Sequence, residues 1–456
     1  MSNLQRRVYD NSPIFLQNII TSVEGYRKNR NRYGNTYYSF LIELESRQHS
    51  NETEVKRNQE QELRGLIQYA VEKSPFYKEF YKGIDMSKIQ TIKDLKKLPV
   101  LDKEILQQHI DSIYTISESA AVVSHVSSNP GIPLKFLFTK EDIQKREAFL
   151  DFFKKQHGAL NLEMKRASFS SRRLIPQHQQ NKVFWRDNHY IKQRVYSSFY
   201  CTEENAAAFV ADLEKYKPDF IDGLPSAIYE IAKFINKNNI ILSFKPVAIF
   251  PVAEILSPHY RGEIEKAFEC PLREQYTSPE GAPFITECIK GRMHYNLNSG
   301  VIETNEEGEM IVTSFNTYGT PLIRYNIGDQ AQLPKTEELC ECGSVHPVFE
   351  KIYARTSEYL QSKSKGKLTS VYFSAIGKNF PTAIQKMQFI QNSADTIEIF
   401  IEGTDSYTNA ITEAIHEMMK YMFGEDMTIH IRIVEQIPNL SNKKFQPVLN
   451  NLMQKP

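Results

Sequence analysis

The sequence predicts an α/β protein in which a large N-terminal domain precedes a small α+β C-terminal domain. Three observations lead to this class. Residues 1–110 carry helical patterns, short β-rich runs alternate with helices from about residue 120, and the end of the chain has a smaller strand–helix–strand pattern of its own. We therefore expect a parallel sheet in the middle of the chain and a separate small core at its end.

The N-terminal segment is predicted to be helical because its apolar residues recur with helical spacing in "EVKRNQEQELRGLIQYAVEKSPFYKEFY". The residues that share one face are Leu63, Leu66, Ile67, Ala70 and Val71. Pro75 then marks a break in the helix. "TIKDLKKLPVLDKEILQQHI" predicts a short helix, a break at the proline and a second helix.

The middle of the chain alternates between strands and helices. The strand candidates are "AVVSHVSS", "RASFSSRRLI", "DFIDGLPS" and "PVAIFPVAE". The helix candidates are "KEDIQKREAFLDFFKKQHG", "EENAAAFVADLEKYKP" and "SAIYEIAKFINKN". Helices that connect successive strands are typical of a parallel sheet, so we expect parallel strands here. Two further β-rich runs, "GEMIVTSF" and "PLIRYNIGDQAQL", follow after residue 300.

The C-terminal segment has its own alternation. "TIEIFIEG" predicts a strand, "YTNAITEAIHEMMKYMFG" a helix and "MTIHIRIVEQI" a second strand. We place the boundary near Ala354, which divides the chain into residues 1–354 and 355–456.

The composition excludes several classes. The 456 residues carry a formal net charge of +1, which disfavours a dedicated nucleic-acid binder. We interpret the basic cluster of Arg27, Lys28, Arg30 and Arg32 as a solvated helix face. There is no run of 18 apolar residues, and no long apolar run follows the first arginines. We expect a soluble cytoplasmic protein with no transmembrane segment and no secretory signal.

The stretch "SSNPGIPLKF", from Ser127 to Phe136, could hold a phosphate. Its hydroxyl groups, its backbone N–H groups near Gly131 and the ammonium of Lys135 are groups that bind phosphate oxygens. The alternative is an ordinary strand-to-helix turn.

Further segments follow in a fixed order: "EQYTSPEGA", "PLIRYNIGD", "KIYARTSEYL" and "SNKKFQPV". With "RASFSSRRLIP", "VFWRDN" and "YKPDFIDGLPSAIYEIA", this series resembles the adenylate-forming ligase superfamily over essentially the full chain. The most similar branch is the phenylacetate–CoA ligase-like group, especially its CapK-type members, which are linked to capsule or other surface polysaccharide pathways.

The resemblance implies a fold and an activity. The fold is a large, multi-layer adenylation-type domain with a helical N-terminal extension, followed by a small mobile C-terminal domain. The activity uses ATP and Mg²⁺ to convert a small carboxylic acid to an acyl-adenylate and then transfers the acyl group to a thiol such as coenzyme A, or to an amine or hydroxyl group on a partner. "DGLPSAI" and "FPVAE" are candidate walls of the acid pocket by their position in the fold.

The resemblance also implies a phosphate loop, in the family approximately Ser-Ser-Gly-Thr-Thr-Gly-x-Pro. Ser127, Gly131 and Pro133 match it. Ser128, Asn129 and Pro130 depart from it, and Pro130 offers neither a hydroxyl group nor a backbone N–H donor. Ser128, Asn129 and Lys135 remain candidates to contact the phosphate because they can compensate for the lost groups.

Roles for the other motifs come from the same resemblance. Tyr276 matches the residue that stacks on adenine, and Glu280 matches the carboxylate that helps to hold Mg²⁺. Pro279 replaces a hydroxyl residue. Asp329 matches the carboxylate that accepts hydrogen bonds from the ribose hydroxyls, and Arg355 matches the hinge-region arginine that contacts the nucleotide.

The catalytic lysine of the superfamily follows a glycine near the C-terminus. Its ammonium group bridges the substrate carboxylate and the α-phosphate and stabilises the charge that develops there. Lys444 is the best match, Lys443 is the adjacent alternative, and the glycine is missing. A solvated pair of lysines is the competing interpretation.

Four residues could bind a metal. Cys288 and His294 lie in "CIKGRMH", and Cys340 and Cys342 lie in "CECG". Three thiolates and one imidazole suit tetrahedral Zn²⁺, and such a closed shell is structural rather than catalytic. His346 is a rival ligand, and free thiols with a surface histidine are the alternative.

Two functions follow from the sequence. The first is an adenylate-forming ligase. The second is a degenerate fold that binds a nucleotide or an acylated partner without ATP turnover, or acts in the manner of an acyltransferase. Pro130, Pro279 and the missing glycines favour the second function.

Overall fold

A computed structural model of the chain describes most of its residues. The described residues are 3–48, 50–126, 134–176, 179, 181–254, 256, 258–332, 340–353, 359–369, 376, 379–380, 383–437 and 448–453.

The helices and strands alternate through the middle of the chain, as the sequence predicts. The α-helices of the described residues are α1 (Asn3–Asp10), α2 (Ile14–Arg32), α3 (Asn35–Arg47), α4 (Glu52–Lys73), α5 (Pro75–Phe80), α6 (Lys103–Ile113), α7 (Lys140–Gln156), α8 (Ala206–Tyr216), α9 (Pro225–Lys237), α10 (Pro258–Phe268) and α11 (Asn409–Phe423). The strands before residue 300 are β1 (Val122–Val126), β2 (Leu134–Phe138), β3 (Arg166–Ser170), β4 (Trp185–Asn188), β5 (Gln193–Ser197), β6 (Phe220–Gly223), β7 (Ile249–Pro251), β8 (Gln275–Tyr276), β9 (Ile285–Glu287) and β10 (Met293–Tyr295). The later strands are β11 (Gly300–Thr304), β12 (Glu309–Ser314), β13 (Tyr325–Gln332), β14 (Val348–Phe349), β15 (Lys351–Tyr353), β16 (Tyr359–Ser362), β17 (Gly366–Thr369), β18 (Ile384–Ser393), β19 (Thr396–Gly403), β20 (Thr428–Ile433) and β21 (Val448–Asn450).

The N-terminal segment is helical, which confirms the prediction. Helix α4 begins with a capping box in which the Asn51 side chain accepts from the Glu54 amide at 3.0 Å and the Glu54 carboxylate accepts from the Asn51 amide at 3.4 Å. Its predicted apolar face is buried from Leu63 to Ala70. The helix ends at Lys73, and Pro75 occupies the first turn of α5, where its missing N–H has no helical partner to lose.

A five-stranded sheet forms the centre of the large domain in the order β4-β5-β3-β6-β7. Strands β3, β5, β6 and β7 run parallel, and only β4, at one edge, is antiparallel. Helices α8 and α9 connect successive parallel strands and pack their apolar faces on the sheet. The carboxyl ends of four parallel strands therefore open on one edge of this sheet, which is where ligands bind in α/β folds.

Two antiparallel sheets lie beside this core, in the orders β14-β10-β9-β8 and β11-β12-β13-β15. Strands β1 and β2 form a separate antiparallel hairpin in which Val126 pairs with Leu134. The predicted phosphate loop is therefore the connection at the end of this hairpin, and its residues 127–133 lie outside the described residues.

The C-terminal part has a sheet in the order β20-β19-β18-β21, with α11 packed on one face through Ile415, Met419 and Phe423. The predicted strand–helix–strand unit is present as β19, α11 and β20. The boundary near Ala354 lies outside the described residues and stays a prediction.

None of the helices in the described part of the chain combines the length and the apolar character needed to cross a bilayer.

Candidate functional site

The carboxyl edge of the parallel sheet contains a cavity of about 430 Å³. Ser198 follows β5, and Ser226 is the second residue of α9, which follows β6, so both line this cavity. The hairpin of β16 and β17 closes it from the C-terminal side with Gln361 and Lys365. The ammonium group of Lys365 lies 4.9 Å from the centre of the Tyr200 ring, and burial lowers the pKa of this lysine. The cavity is therefore shared between the large and small parts of the chain.

Close packing of β3 and β6 explains the glycine of "DFIDGLPS". Gly223 has a φ of +139°, and a Cβ atom there would lie 2.3 Å from the carbonyl oxygen of Phe169. Only glycine allows this approach. The two predicted walls of the acid pocket then meet, because the Glu254 carboxylate accepts from the amide and the hydroxyl of Ser226, each at 3.0 Å. Their role in acid binding stays a prediction.

The two candidate nucleotide residues lie in contact. The Tyr276 hydroxyl on β8 donates a hydrogen bond of 2.7 Å to Oδ2 of Asp329 on β13. Asp329 follows Gly328, whose φ of +77° and whose hydrogen bond to the Asn326 side chain form a turn within the strand. The structure thus brings together an aromatic ring and a carboxylate that are 53 positions apart in sequence.

Glu280 lies near this pair. Burial raises the pKa of Glu280, Lys103 acts in the opposite direction, and the carboxylate of Asp329 raises the pKa further. Two half-buried carboxylates that repel each other would be stabilised by a divalent cation. The residues present therefore fit the predicted Mg²⁺ role of Glu280.

Sequence reasoning missed the residue that holds the Glu280 loop. Arg146 on α7 donates from Nη1 to the carbonyl of Gly281 at 2.8 Å and from Nη2 to the carbonyl of Ser278 at 3.3 Å, and its guanidinium group lies 4.7 Å from the centre of the Phe284 ring. Burial lowers its pKa to about 10. The available signal was its helical position, three residues before the buried Phe149.

The β1–β2 hairpin contacts the same loop. The Ser124 hydroxyl donates to the carbonyl of Pro279 at 3.2 Å. Lys135 on β2 forms an ion pair of 2.7 Å with the exposed Glu118. Its phosphate role stays a prediction.

Several predicted site residues lie outside the described residues. These are Ser127, Ser128, Asn129, Gly131, Arg355, Lys443 and Lys444.

The four predicted metal ligands converge. One ligand atom from each of Cys288, His294, Cys340 and Cys342 lies within 4.8 Å of the others. The Sγ atoms of Cys288 and Cys340 are 3.9 Å apart, and Sγ of Cys342 is 3.5 Å from Nε2 of His294. In a tetrahedral zinc site the ligand distances imply about 3.8 Å between sulfur atoms and about 3.6 Å between sulfur and nitrogen. The cluster therefore fits a tetrahedral metal.

His346, the alternative ligand in the sequence, is not one of the four clustered ligands and instead contacts His294. Its backbone carbonyl oxygen lies 2.7 Å from Nδ1 of His294. Because a carbonyl can only accept, Nδ1 carries the proton and Nε2 faces Cys342 with its lone pair. Burial lowers the pKa of His346 to about 4, and its own Nδ1 accepts from the Leu297 amide at 3.4 Å.

The fold, with its parallel central sheet and its separate C-terminal sheet, is that of the adenylate-forming ligases. It is similar to 2-hydroxyisobutyryl-CoA ligase, in its structure with 2-HIB-AMP and CoA in the thioesterification state, with a TM-score of 0.56 and 15% identity over 89% of this chain and 91% of that chain. The structure of the same ligase in the postadenylation state with R3-HIB-AMP gives a TM-score of 0.55 over the same shares, also at 15% identity.

The particular family follows from sequence. The model of the CapK C-terminal domain matches residues 360–451. The chain is 34% identical to Protein CapK of Staphylococcus aureus over 451 residues, which are 98% of this chain and 99% of that protein. The chain therefore belongs to the CapK family.

Proposed function

We propose that this protein activates a carboxylic acid with ATP to an acyl-adenylate, releases pyrophosphate, and transfers the acyl group to coenzyme A or to another thiol or amine acceptor. The observation that carries the proposal is the contact of Tyr276 with Asp329 beside the half-buried Glu280. An aromatic ring, a carboxylate for a diol and a carboxylate for a cation are the groups that a ribonucleoside triphosphate requires.

Each residue has a role in this proposal. The hydrogen bond from Tyr276 to Asp329 fixes the ring so that adenine stacks on its face, and the Asp329 carboxylate accepts from the ribose hydroxyls. Glu280 holds Mg²⁺, which neutralises phosphate charge when it is bound. Arg146 keeps the Glu280 loop in place through the carbonyls of Gly281 and Ser278.

Two further roles rest on the resemblance alone. Lys444 places its ammonium group between the substrate carboxylate and the α-phosphate, and Arg355 contacts the nucleotide near the hinge.

We place the acid in the cavity at the carboxyl edge of the sheet, where Ser226 and Ser198 supply hydroxyl groups and Phe199 an apolar wall.

We assign Zn²⁺ to the cluster of three cysteines and one histidine. Four protein ligands leave no open position, so the metal would be structural. It would fasten the turn after β9, which carries Cys288, to the segment that carries Cys340 and Cys342.

We propose a place in surface polysaccharide biosynthesis or in secondary-metabolite biosynthesis, which rests on the resemblance to the CapK-type branch alone. We expect the reaction in the cytoplasm, where ATP and coenzyme A are available.

A repurposed fold that binds a nucleotide or an acylated partner without ATP turnover is the second candidate. The observation that favours it is Pro279, which stands where the family has a hydroxyl residue and uses its carbonyl to accept from Ser124. Proline offers no hydrogen-bond donor to a phosphate or to the acid.

ATP–pyrophosphate exchange over a panel of aryl and aliphatic acids, beside an ATP titration by calorimetry, separates the two candidates. Acid-dependent exchange that Lys444→Ala abolishes, with ATP binding retained, supports the ligase and identifies the acid class. ATP binding without exchange for any acid supports the repurposed fold. Absence of both binding and exchange contradicts the ligase and a nucleotide-binding role, and it leaves a fold that binds an acylated partner or acts in the manner of an acyltransferase.

A further inference from the structure

The outward side of α2 is apolar. Phe15, Ile19 and Val23 follow each other at intervals of four residues, and Tyr26 follows three residues later. With helical geometry these four side chains share one side of the helix. They expose 63%, 52%, 46% and 46% of their surface, respectively. We call these four residues the α2 apolar face.

The side of α2 that packs on the protein is polar. The Gln17 side chain accepts from Nε of the buried Arg186 at 2.5 Å, and the Asn18 side chain accepts from the Asp187 amide at 3.0 Å. Hydrogen bonds to the edge strand β4 therefore hold the helix in place. The large apolar residues of α2 contribute little to this packing. A row of exposed apolar side chains is typical of an interaction site.

Aromatic and cationic groups extend the same side. The Tyr190 ring packs edge-on against Tyr26 with the ring centres 5.2 Å apart, and it is half-exposed. Arg27 lies four residues after Val23, and Arg30 lies four residues after Tyr26. Both arginines are exposed.

The charge on this side is uncompensated. Among the described residues, neither Arg27 nor Arg30 forms an ion pair. Glu24 is the one carboxylate in the sequence of α2, and it pairs with Lys28 at 3.4 Å. By helical geometry Glu24 lies away from the α2 apolar face.

We propose that the α2 apolar face docks the protein on an anionic lipid membrane. The side chains of Phe15, Ile19 and Val23 enter the boundary between headgroups and acyl chains, the rings of Tyr26 and Tyr190 lie at headgroup level, and the two arginines bind lipid phosphates. This inference goes beyond the proposed function and does not depend on it.

A second copy of the chain fits this face less well. Antiparallel pairing of two α2 helices sets Arg27 and Arg30 against the first turn of the partner helix, which has no acidic residue and carries the positive end of the helix dipole. Parallel pairing sets the arginines against each other. A layer of phosphate groups beside an apolar interior satisfies both the arginines and the apolar side chains.

Sedimentation of the full chain with lipid vesicles tests the proposal. The vesicles contain phosphatidylcholine alone or phosphatidylcholine with phosphatidylglycerol. We expect binding to the anionic vesicles that falls as salt is raised. We expect Phe15→Ser/Ile19→Ser and, separately, Arg27→Glu/Arg30→Glu each to weaken this binding by about tenfold or more.

The matched control removes exposed apolar side chains elsewhere. Ile241 and Ile433 expose 90% and 51% of their surface, respectively, so Ile241→Ser/Ile433→Ser should bind vesicles as the parent chain does. All of the substituted side chains are exposed, so we expect each variant to fold, and circular dichroism checks this.

Three outcomes would overturn the proposal. One is the absence of parent-chain binding to anionic vesicles, and another is binding that the α2 variants retain. The third is a dimer, seen by light scattering, that Phe15→Ser/Ile19→Ser dissociates while no variant or parent chain binds vesicles, which would assign the face to a second copy.

Discussion

The hydroxyl group of Tyr276 donates to Oδ2 of Asp329 at 2.7 Å and so joins the edge strand of one sheet to an inner strand of another. The contact fixes both the orientation of the ring and the position of the carboxylate. If ribose hydroxyls also donate to this carboxylate, its charge strengthens those hydrogen bonds.

Asp329→Asn should therefore weaken ATP binding by about 10- to 150-fold, which corresponds to the loss of hydrogen bonds to a charged group worth about 1.5–3 kcal/mol. Calorimetry with ATP measures this change. The control ligand is 2′,3′-dideoxy-ATP, which lacks the donating hydroxyls, so the substitution should change its affinity much less. Equal losses for the two ligands would remove Asp329 from the ribose site.

The anchoring of the Glu280 loop by Arg146 predicts a kinetic effect. Arg146→Met removes the hydrogen bonds to the carbonyls of Gly281 and Ser278, so Glu280 should move and kcat/KM for MgATP should fall by about 10- to 100-fold. We expect KM for ATP to rise and KM for the acyl acceptor to stay unchanged.

The control for this prediction is Lys145→Met, the adjacent position on α7. Lys145 lies 5.3 Å from the centre of the Phe40 ring and should leave KM for ATP at the parent value when it is replaced. A purely structural role for Arg146 would lower the melting temperature without separating the two KM values.

The sequence predicted well that the three cysteines and His294 lie together, and it predicted the Arg146 contacts poorly. Cys288 and Cys342 are far apart in sequence. Three cysteines together with a histidine have few roles other than metal binding, so the residue types were sufficient to predict that these side chains lie together. Arg146 binds backbone carbonyls, which every residue offers, and no residue type at positions 278 and 281 identifies them as its partners. Such contacts depend on the tertiary fold alone.

The strands of the C-terminal sheet also include one that the sequence predicted and one that it did not. Strand β19 alternates apolar and polar residues and was predicted, whereas β18 was not. The reason is that β18 buries polar residues, among them Gln391, whose side chain exchanges two hydrogen bonds of 2.7 Å with the backbone of Gln361. A buried glutamine interrupts the alternation of apolar and polar residues from which a strand is predicted. Its hydrogen-bond partner in another strand accounts for its burial.

Elemental analysis tests the assignment of zinc to the cluster of three cysteines and one histidine. The purified chain should contain about one zinc ion, and Cys342→Ser should reduce this to near zero because three ligands hold zinc much more weakly than four. Cys270→Ser is the control, since Cys270 is a buried free thiol that is not one of the four clustered ligands. A parent chain that is fully folded and free of metal would contradict the assignment.

A last prediction concerns Asp222 at the end of β6, on the carboxyl edge of the sheet. Its carboxylate pairs with Arg166 and accepts from the Ser168 hydroxyl at 2.5 Å. Burial acts to raise the pKa of Asp222, but Arg166, Lys154 and Ser168 together hold it below the usual 3.8. The folded state therefore binds fewer protons than the unfolded state below that value, and the charged carboxylate stabilises the fold at higher pH.

Asp222→Asn should lower the free energy of unfolding by about 3–5 kcal/mol at neutral pH, because it leaves the charge of Arg166, whose side chain is only 20% exposed, without its partner. The difference from the parent chain should be constant above the usual carboxyl pKa and should shrink as the pH falls through the interval below 3.8. Urea unfolding between about pH 2.5 and about pH 7 measures both quantities. Asp219→Asn is the control, because this carboxylate accepts a hydrogen bond of 2.6 Å from an exposed backbone amide, and the substitution should cost about 1 kcal/mol. A difference for Asp222→Asn that grows as the pH falls would contradict the charged pair as the source of the stability.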